Sequence, residues 1–179
     1  ALQAVNSETG NAQDVSAAAE LVRENAGLLL VDAAQSAGKF PLPEEADMVI
    51  LSAHKFGGPP GIGALLVRDF AMLEPSSGQE RGYRRGTENL PGALSMAAAL
   101  EACGQPFFDP EILAPIAERL APAVKELGGL RLAERIANPT PYIEALAMPG
   151  MSGSAQLMRF DMAGFAVSQG SACSSGSLK

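Results

Sequence analysis

The sequence is poor in the residues that build metal centres, disulfide frameworks and many hydrolytic sites. Its 179 residues include two cysteines, one histidine and no tryptophan. These three cysteine and histidine side chains do not supply the well-spaced set of ligands that a zinc site requires. The single histidine, His54, has no G-x-S-x-G elbow elsewhere in the chain to partner it. A Ser-His-Asp triad is therefore not indicated either.

Positive charge is scarce as well. The 13 Lys and Arg residues stand against 20 Asp and Glu residues, which gives a net charge of −7. An acidic chain without a basic block is a poor partner for DNA, RNA or an anionic membrane, and we expect none of these partners. No apolar run approaches the roughly 18 residues of a membrane span, and the start at Ala1 lacks the basic region of a secretory signal. We expect a soluble, cytoplasmic protein.

Apolar residues, in contrast, are plentiful. They make up 47% of the sequence, enough to bury a core and to exclude global disorder. Residues 28–31 and 48–51 are continuous apolar runs, which are typical of central strands in a sheet covered on both faces. A third strand is predicted at 63–68, and apolar spacing predicts a helix at about 16–25. This pattern indicates an α/β fold built on a mostly parallel sheet layered with helices.

The second half of the chain predicts a smaller α+β domain. A helix is expected from Pro91 to about residue 103, and a link at 105–110. Helical spacing resumes over 112–127, where Pro115 and Pro122 predict a kink or a late start. The remaining expected elements are a strand near 142–148, a helix near 154–163, a strand near 165–168 and a Gly/Ser loop over 170–177. The domains are accordingly placed at 1–105 and 106–179.

Chemically useful side chains follow the two apolar runs directly. Ligands of open parallel sheets bind beyond the carboxyl ends of the strands, and Asp32 and the pair His54-Lys55 stand at such ends. An amine in a loop fixed by Gly and Pro suits a lysine that forms a Schiff base. A solvated lysine and a capping aspartate explain the same residues, and spacing alone leaves both interpretations open. The segment at 33–40 imitates a Walker A loop only at Gly38-Lys39, so we discard that motif.

The two cysteines differ in their surroundings. Cys103 lies in an apolar helical stretch, where a buried and inert thiol is expected. Cys173 lies among Gly, Ser and Ala, so its thiol is accessible, which reactivity requires. An incidental surface cysteine would look the same in this sequence. A thiol redox pair would need Cα atoms within about 7 Å of each other, and nothing in the sequence places them so close.

The sequence resembles the cysteine desulfurases of the NifS/IscS type in seven segments, which stand in the same order along the chain as in that family. These are fold-type I pyridoxal-phosphate enzymes of the class V aminotransferase family, and the resemblance spans nearly the whole chain. The segments are Asn6-Ser7-Glu8-Thr9-Gly10, Val31-Asp32-Ala33-Ala34-Gln35-Ser36, Ser52-Ala53-His54-Lys55, Gly61-Ile62-Gly63-Ala64-Leu65, Gln79-Glu80-Arg81-Gly82, Arg85-Gly86-Thr87 and Gly170-Ser171-Ala172-Cys173.

The resemblance implies a pyridoxal 5'-phosphate site. Lys55 is expected to hold the cofactor covalently and, once freed, to move the α-proton of the substrate. Asp32 would keep the pyridine nitrogen protonated, which makes the ring an electron sink. Gln35 would bond the phenolic oxygen, while Ser52 and His54 would hold the phosphate.

The same resemblance implies the reaction and the partners. Cys173 is expected to take the sulfur of L-cysteine as a persulfide, release L-alanine and pass the sulfur to an acceptor or Fe-S scaffold protein. Thr87 would reach the phosphate of a partner subunit, which implies a homodimer. Ser7 stands where the family has a cofactor-contacting asparagine. A selenocysteine lyase or another β-eliminating pyridoxal enzyme is the alternative.

Family members extend beyond both ends of this sequence, so we expect a fragment. The expected missing parts carry the histidine that stacks on the cofactor ring and the arginine that binds the substrate carboxylate. A further alternative is therefore a catalytically incomplete piece that is retained for its fold or its contacts. Binding of pyridoxal phosphate by the chain would argue against that alternative.

Overall fold

The computed structural model describes residues 1–104 and 107–170, which form two compact units. The first comprises Ala1–Val5 and Gln13–Phe108, and the second comprises Asn6–Ala12 and the chain from Asp109 on. Asn6–Ala12 therefore belongs with the later part of the chain although it lies near the start. A single boundary in the sequence therefore does not separate the two units.

The first unit is built on a four-stranded mixed sheet, which confirms the α/β class. Its strands stand side by side in chain order: β1 (Leu2–Gln3), β2 (Leu30–Asp32), β3 (Met48–Ser52) and β4 (Gly63–Val67). The pairs β1–β2 and β2–β3 are parallel, as the sequence predicts, and β3–β4 is antiparallel. The segment between β3 and β4 is shorter than the dozen or more residues that a parallel crossover needs, so the chain turns back on itself.

One face of this sheet carries the core. Val31, Val49 and Leu51 are buried there in one cluster, which also includes Ala19 of helix α1 (Val15–Glu24) and Met96 of helix α2 (Leu90–Glu101). Successive side chains of a strand point to opposite faces, so the residues between these belong to the other face. A continuous apolar run cannot reveal whether both of its faces are covered.

The second face of the sheet is open among the described residues. Ile50 is 37% exposed and Leu65, its partner on β4, is 48% exposed. The expectation of strands covered on both faces is therefore wrong for this face. Both α1 and α2 contribute their buried residues to the opposite side.

Gly63 allows β4 to pair with the end of β3. It lies opposite Ser52, and a Cβ atom at this position would stand 2.5 Å from the carbonyl oxygen of Leu51. We expect Gly63→Ala to lower the free energy of unfolding by about 3 kcal/mol, because the neighbouring atom is backbone and cannot move aside cheaply. Urea denaturation of the full-length protein that carries this sequence measures the effect.

Gly104→Ala is the matched control for that substitution. Among the described residues, a Cβ atom there meets nothing within 4 Å, so we expect a change within about 0.5 kcal/mol. Equal stabilities of the two variants would show that β4 can shift away from Leu51 at no cost.

The second unit begins with helix α3 (Pro110–Glu126), which runs through both Pro115 and Pro122. The prediction of a late start is wrong. The Asp109 side chain caps the helix by accepting a hydrogen bond from the N–H of Glu111. Val124 is buried near the other end. Capping and burial together stabilise a helix that lacks two N–H donors in its interior.

The rest of the second unit is a small hairpin followed by a helix. Strands β5 (Leu130–Arg131) and β6 (Leu146–Ala147) pair antiparallel, and α4 (Gly153–Met162) confirms the predicted helix. The strand predicted at 165–168 is wrong, since no strand is assigned there. Phe165 and Val167 stay exposed, and alternation without a pairing partner does not make a strand. None of the helices in the described ranges combines the length and apolar character that crossing a membrane requires.

Candidate active site

The parallel pairing of β2 with β3 brings two polar side chains to one edge of the sheet. Asp32 ends β2 and pairs with Ile50, and Ser52 ends β3 two residues further on. Paired residues share a face, as do residues two apart in a strand, so Asp32 and Ser52 both lie on the open face. Strand spacing and rise place their Cα atoms about 8 Å apart. A carboxylate and a hydroxyl thus stand beside each other on an accessible surface.

A tight turn orients the half-buried carboxylate of Asp32. Its Oδ1 accepts a hydrogen bond of 2.9 Å from the N–H of Ala34, and the N–H of Ala33 donates to the carbonyl of Ile50. Within the described residues, the hydrogen bonds to this carboxylate use only one of its two oxygens. Gln35 follows in the same turn, half-buried, three residues after the carboxylate. The turn therefore holds an anion and an amide at the end of β2.

The candidate lysine lies in a short 3-10 turn, Ala53–Lys55, that continues directly from β3. Two N–H groups, of Phe56 and Gly58, donate to the carbonyl of Ala53 and close the turn. The hydroxyl of Ser52 lies 3.0 Å from Nδ1 of His54, whose side chain is exposed. Lys55 is half-buried. A hydroxyl, an imidazole and an amine are thus fixed within four consecutive residues.

The other candidate residues are not brought to this edge by any described contact. Thr87 is exposed in the loop before α2, and its carbonyl accepts from Arg84. Ser7 belongs to the second unit. It lies in a turn held by Asn6, whose side-chain oxygen accepts from two following N–H groups. Cys173 lies outside the described residues.

Sequence reasoning missed Lys39. Its Nζ donates a hydrogen bond of 2.7 Å to the backbone carbonyl of Lys55, the candidate lysine itself. In the sequence, Lys39 stands out only as part of an incomplete imitation of a phosphate-binding loop. No local pattern identifies this contact. The only available signal is its position in the segment that joins β2 to β3.

The donor set of this edge fits a planar heterocycle with an anionic arm. The carboxylate of Asp32 suits a protonated ring nitrogen, and the amine of Lys55 suits an electrophilic carbonyl carbon. Ser52 and His54 offer donors for a phosphate. Among the described residues, no group of three His, Cys, Asp or Glu side chains could hold a metal ion. The carboxylate, amine, hydroxyl and imidazole of this edge thus fit an organic phosphate cofactor.

Comparison with known proteins gives a consistent result. The model of the family described as aminotransferase class-V matches residues 1–179. The chain is 36% identical to a cysteine desulfurase of Cereibacter sphaeroides, with 97% of this chain and 46% of that protein covered. It is 35% identical to the cysteine desulfurase IscS of Vibrio atlanticus, with 98% and 45% covered.

Solved structures agree with these relatives. A NifS-like protein matches with a TM-score of 0.81 and 30% identity, over 94% of this chain and 49% of that one. The structure described as SspA in complex with cysteine matches with a TM-score of 0.73 and 27% identity, over 97% and 50%. The chain spans about half the length of the curated relatives it matches.

Proposed function

This chain belongs to the class V aminotransferase family, and from that premise we propose that it is the cofactor-binding part of a pyridoxal-phosphate-dependent cysteine desulfurase. The proposal rests on the pairing of β2 with β3, which sets Asp32 beside the segment Ser52 to Lys55. The relatives named cysteine desulfurase favour this reaction over the selenocysteine lyase alternative.

Each side chain at the sheet edge has a defined task toward the cofactor. Asp32 pairs with the ring nitrogen and keeps its proton in place, because a carboxylate stabilises an adjacent cation. Gln35 donates to the phenolic oxygen, and Ser52 and His54 hold the phosphate. Lys55 makes the covalent attachment. When bound, pyridoxal phosphate supplies an electron sink for charge that develops at the substrate carbon.

Lys55 and Cys173 carry out the proton and sulfur steps. The amine of Lys55 removes the α-proton of L-cysteine and later returns a proton. The thiolate of Cys173 forms an S–S bond to the substrate sulfur as the C–S bond of the substrate breaks. The electron pair of that bond stays with carbon, which takes up a proton to give L-alanine. The persulfide on Cys173 then passes its sulfur to an acceptor or Fe-S scaffold protein.

The wider assembly follows from the same assignment. We assign residues 1–105, apart from the segment Asn6–Ala12 that belongs to the second unit, to the large cofactor-binding domain, and 106–179 to a small domain that carries Cys173. Thr87 contacts the phosphate held by a partner subunit, so the enzyme is a homodimer. Ser7 offers a hydroxyl where relatives have an amide. The protein works in the cytoplasm.

Mapping the lysine that binds the cofactor tests this proposal. The full-length protein that carries this sequence is mixed with pyridoxal phosphate, reduced with borohydride and analysed by peptide mass spectrometry. The sequence printed here has four lysines, at positions 39, 55, 125 and 179. We expect the label on Lys55 alone among them. Label scattered over several lysines, or absent, would contradict the proposed cofactor site.

Cys173→Ser separates the desulfurase from a β-eliminating enzyme. We expect persulfide transfer to an acceptor to fall at least about 100-fold, because a hydroxyl cannot accept the sulfur as a thiolate does. A lyase that releases sulfur without a persulfide would keep its turnover. Cys103→Ser is the control: its hydroxyl can still donate to the carbonyl of Ala99, to which Sγ of Cys103 donates at 3.3 Å. Acceptor labelling with ³⁵S-cysteine measures both variants.

A further inference from the structure

Lys39 and Lys55 lie on neighbouring turns at the same edge of the sheet. Lys39 follows β2 and Lys55 follows β3, and the Lys39 amine donates to the Lys55 carbonyl at 2.7 Å. The contact is to the backbone of Lys55, so it does not involve the Lys55 amine. Anything that moves Lys39 therefore acts directly on the peptide that carries the cofactor lysine.

The turn before Lys39 brings the chain close to Phe56 and Cys103. Gly38 has a φ of +76°, and a Cβ atom at this position would lie 2.8 Å from Sγ of Cys103 and 3.1 Å from Cβ of Phe56. Only glycine combines this dihedral angle with such close neighbours at low cost. The N–H of Lys39 also donates to the carbonyl of Ser36. Gly38, next to Lys39, is thus closely packed against Phe56, the residue that follows Lys55.

Burial and the charge of Lys55 both act on the Lys39 amine. The pKa of Lys39 is lowered, first by partial burial and second by the charge of Lys55, while the Cys103 thiol opposes the shift. The ring of Phe107 lies 5.4 Å from Lys39 Nζ, where its negative face favours a cation. Lys55 and Cys103 are thus two titratable groups among the described residues that act on the Lys39 amine.

We propose, building on the function proposed above, that Lys39 is a positioning residue for Lys55: its amine anchors the Lys55 backbone, and its positive charge acts on the nitrogen that joins Lys55 to the cofactor. A cation nearby favours the uncharged form of such a nitrogen. Lys55 must be uncharged to take up the substrate proton. Lys39 therefore prepares Lys55 for proton transfer without contacting the substrate.

Three variants of the full-length protein test this role through the colour of the bound cofactor. The visible absorbance of pyridoxal phosphate changes as the nitrogen that links it to lysine loses its proton. In Lys39→Met we expect the pH midpoint of that change to rise by about half a unit to one unit, because a nearby positive charge is lost. Lys39→Arg keeps the charge and a donor, so it should keep the wild-type midpoint. Lys125→Met removes an exposed lysine of α3 and should change nothing.

The outcomes separate this proposal from the one on which it rests. Absence of label on Lys55 in the wild-type protein would overturn the cofactor site itself before any variant is compared. With Lys55 labelled, an unchanged midpoint in Lys39→Met would overturn the role of Lys39. An equal shift in Lys39→Arg would also overturn it, because charge would not be the cause. If circular dichroism shows that Lys39→Met is unfolded, Lys39→Gln replaces it. An unchanged midpoint in that variant, or an equal shift in Lys39→Arg, would then overturn the role of Lys39.

Discussion

Lys55→Ala is expected to leave the protein without covalently held cofactor and to lower the rate of alanine formation about 10⁴-fold. The loss is large because one side chain serves two steps, attachment of the cofactor and movement of the substrate proton. The fold should survive, since the turn is closed by backbone hydrogen bonds to the carbonyl of Ala53 rather than by the Lys55 amine. Alanine release from L-cysteine and the absorbance of the dialysed protein give the two measurements.

Lys125→Ala is the matched control for that variant. Lys125 is an exposed residue on α3, and its removal should leave both measurements at wild-type values. Added methylamine should restore part of the rate in Lys55→Ala, because a free amine can replace the missing base. A Lys55→Ala protein that keeps a rate within about tenfold of wild type would place the base elsewhere.

Asp32→Asn is expected to lower the rate of alanine formation about 10³-fold while leaving stability nearly unchanged. The amide oxygen of asparagine can still accept the hydrogen bond from the N–H of Ala34, so the turn after β2 is retained. The negative charge that holds the proton on the ring nitrogen is lost. Turnover at saturating L-cysteine and the melting temperature, measured on one preparation, separate the two effects.

Asp47→Ala provides a structural counterpart, because alanine removes the hydrogen-bond acceptor altogether. The Asp47 carboxylate accepts a hydrogen bond of 2.7 Å from the N–H of Leu29 at the opposite end of the strands, away from the candidate site. We expect the Asp47 variant to have a lower melting temperature, with no specific loss of turnover. If Asp32→Asn lowered only the melting temperature, Asp32 would be a capping residue rather than a partner of the cofactor.

The sequence predicts β2, β3 and β4 of the first unit but not the short β1, and burial determines β2 and β3. Val31, Val49 and Leu51 lie in apolar runs that bury one face, and the polar residues that end these runs mark the carboxyl edge of the sheet. The positions of Asp32 and Lys55 at that edge follow from this pattern. Their chemical roles do not, because the same residues also suit a cap and a solvated surface. The roles come from the resemblance to a family.

Contacts between segments far apart in sequence could not be predicted in this way. The hydrogen bond from Lys39 to Lys55 depends on how two turns pack, and no periodicity encodes it. The strand expected at 165–168 failed for a related reason, since a strand depends on a neighbour that local alternation cannot supply. The antiparallel direction of β4 is different, because the short connection to β3 that causes it can be read from the sequence.

The pairing of β3 with β4 also bears on the order in which the first unit folds. Ser52 pairs with Gly63, which is near in sequence, whereas β1 and β2 are separated by a helix and two loops. Closing a short loop costs less chain entropy than closing a long one. Pairing β3 with β4 therefore costs less entropy than forming the other strand pairs of the sheet. We infer that the turn bearing Lys55 closes early and that Asp32 arrives afterwards with β2. Under the proposed function, the cofactor site is complete only once β2 has paired with β3.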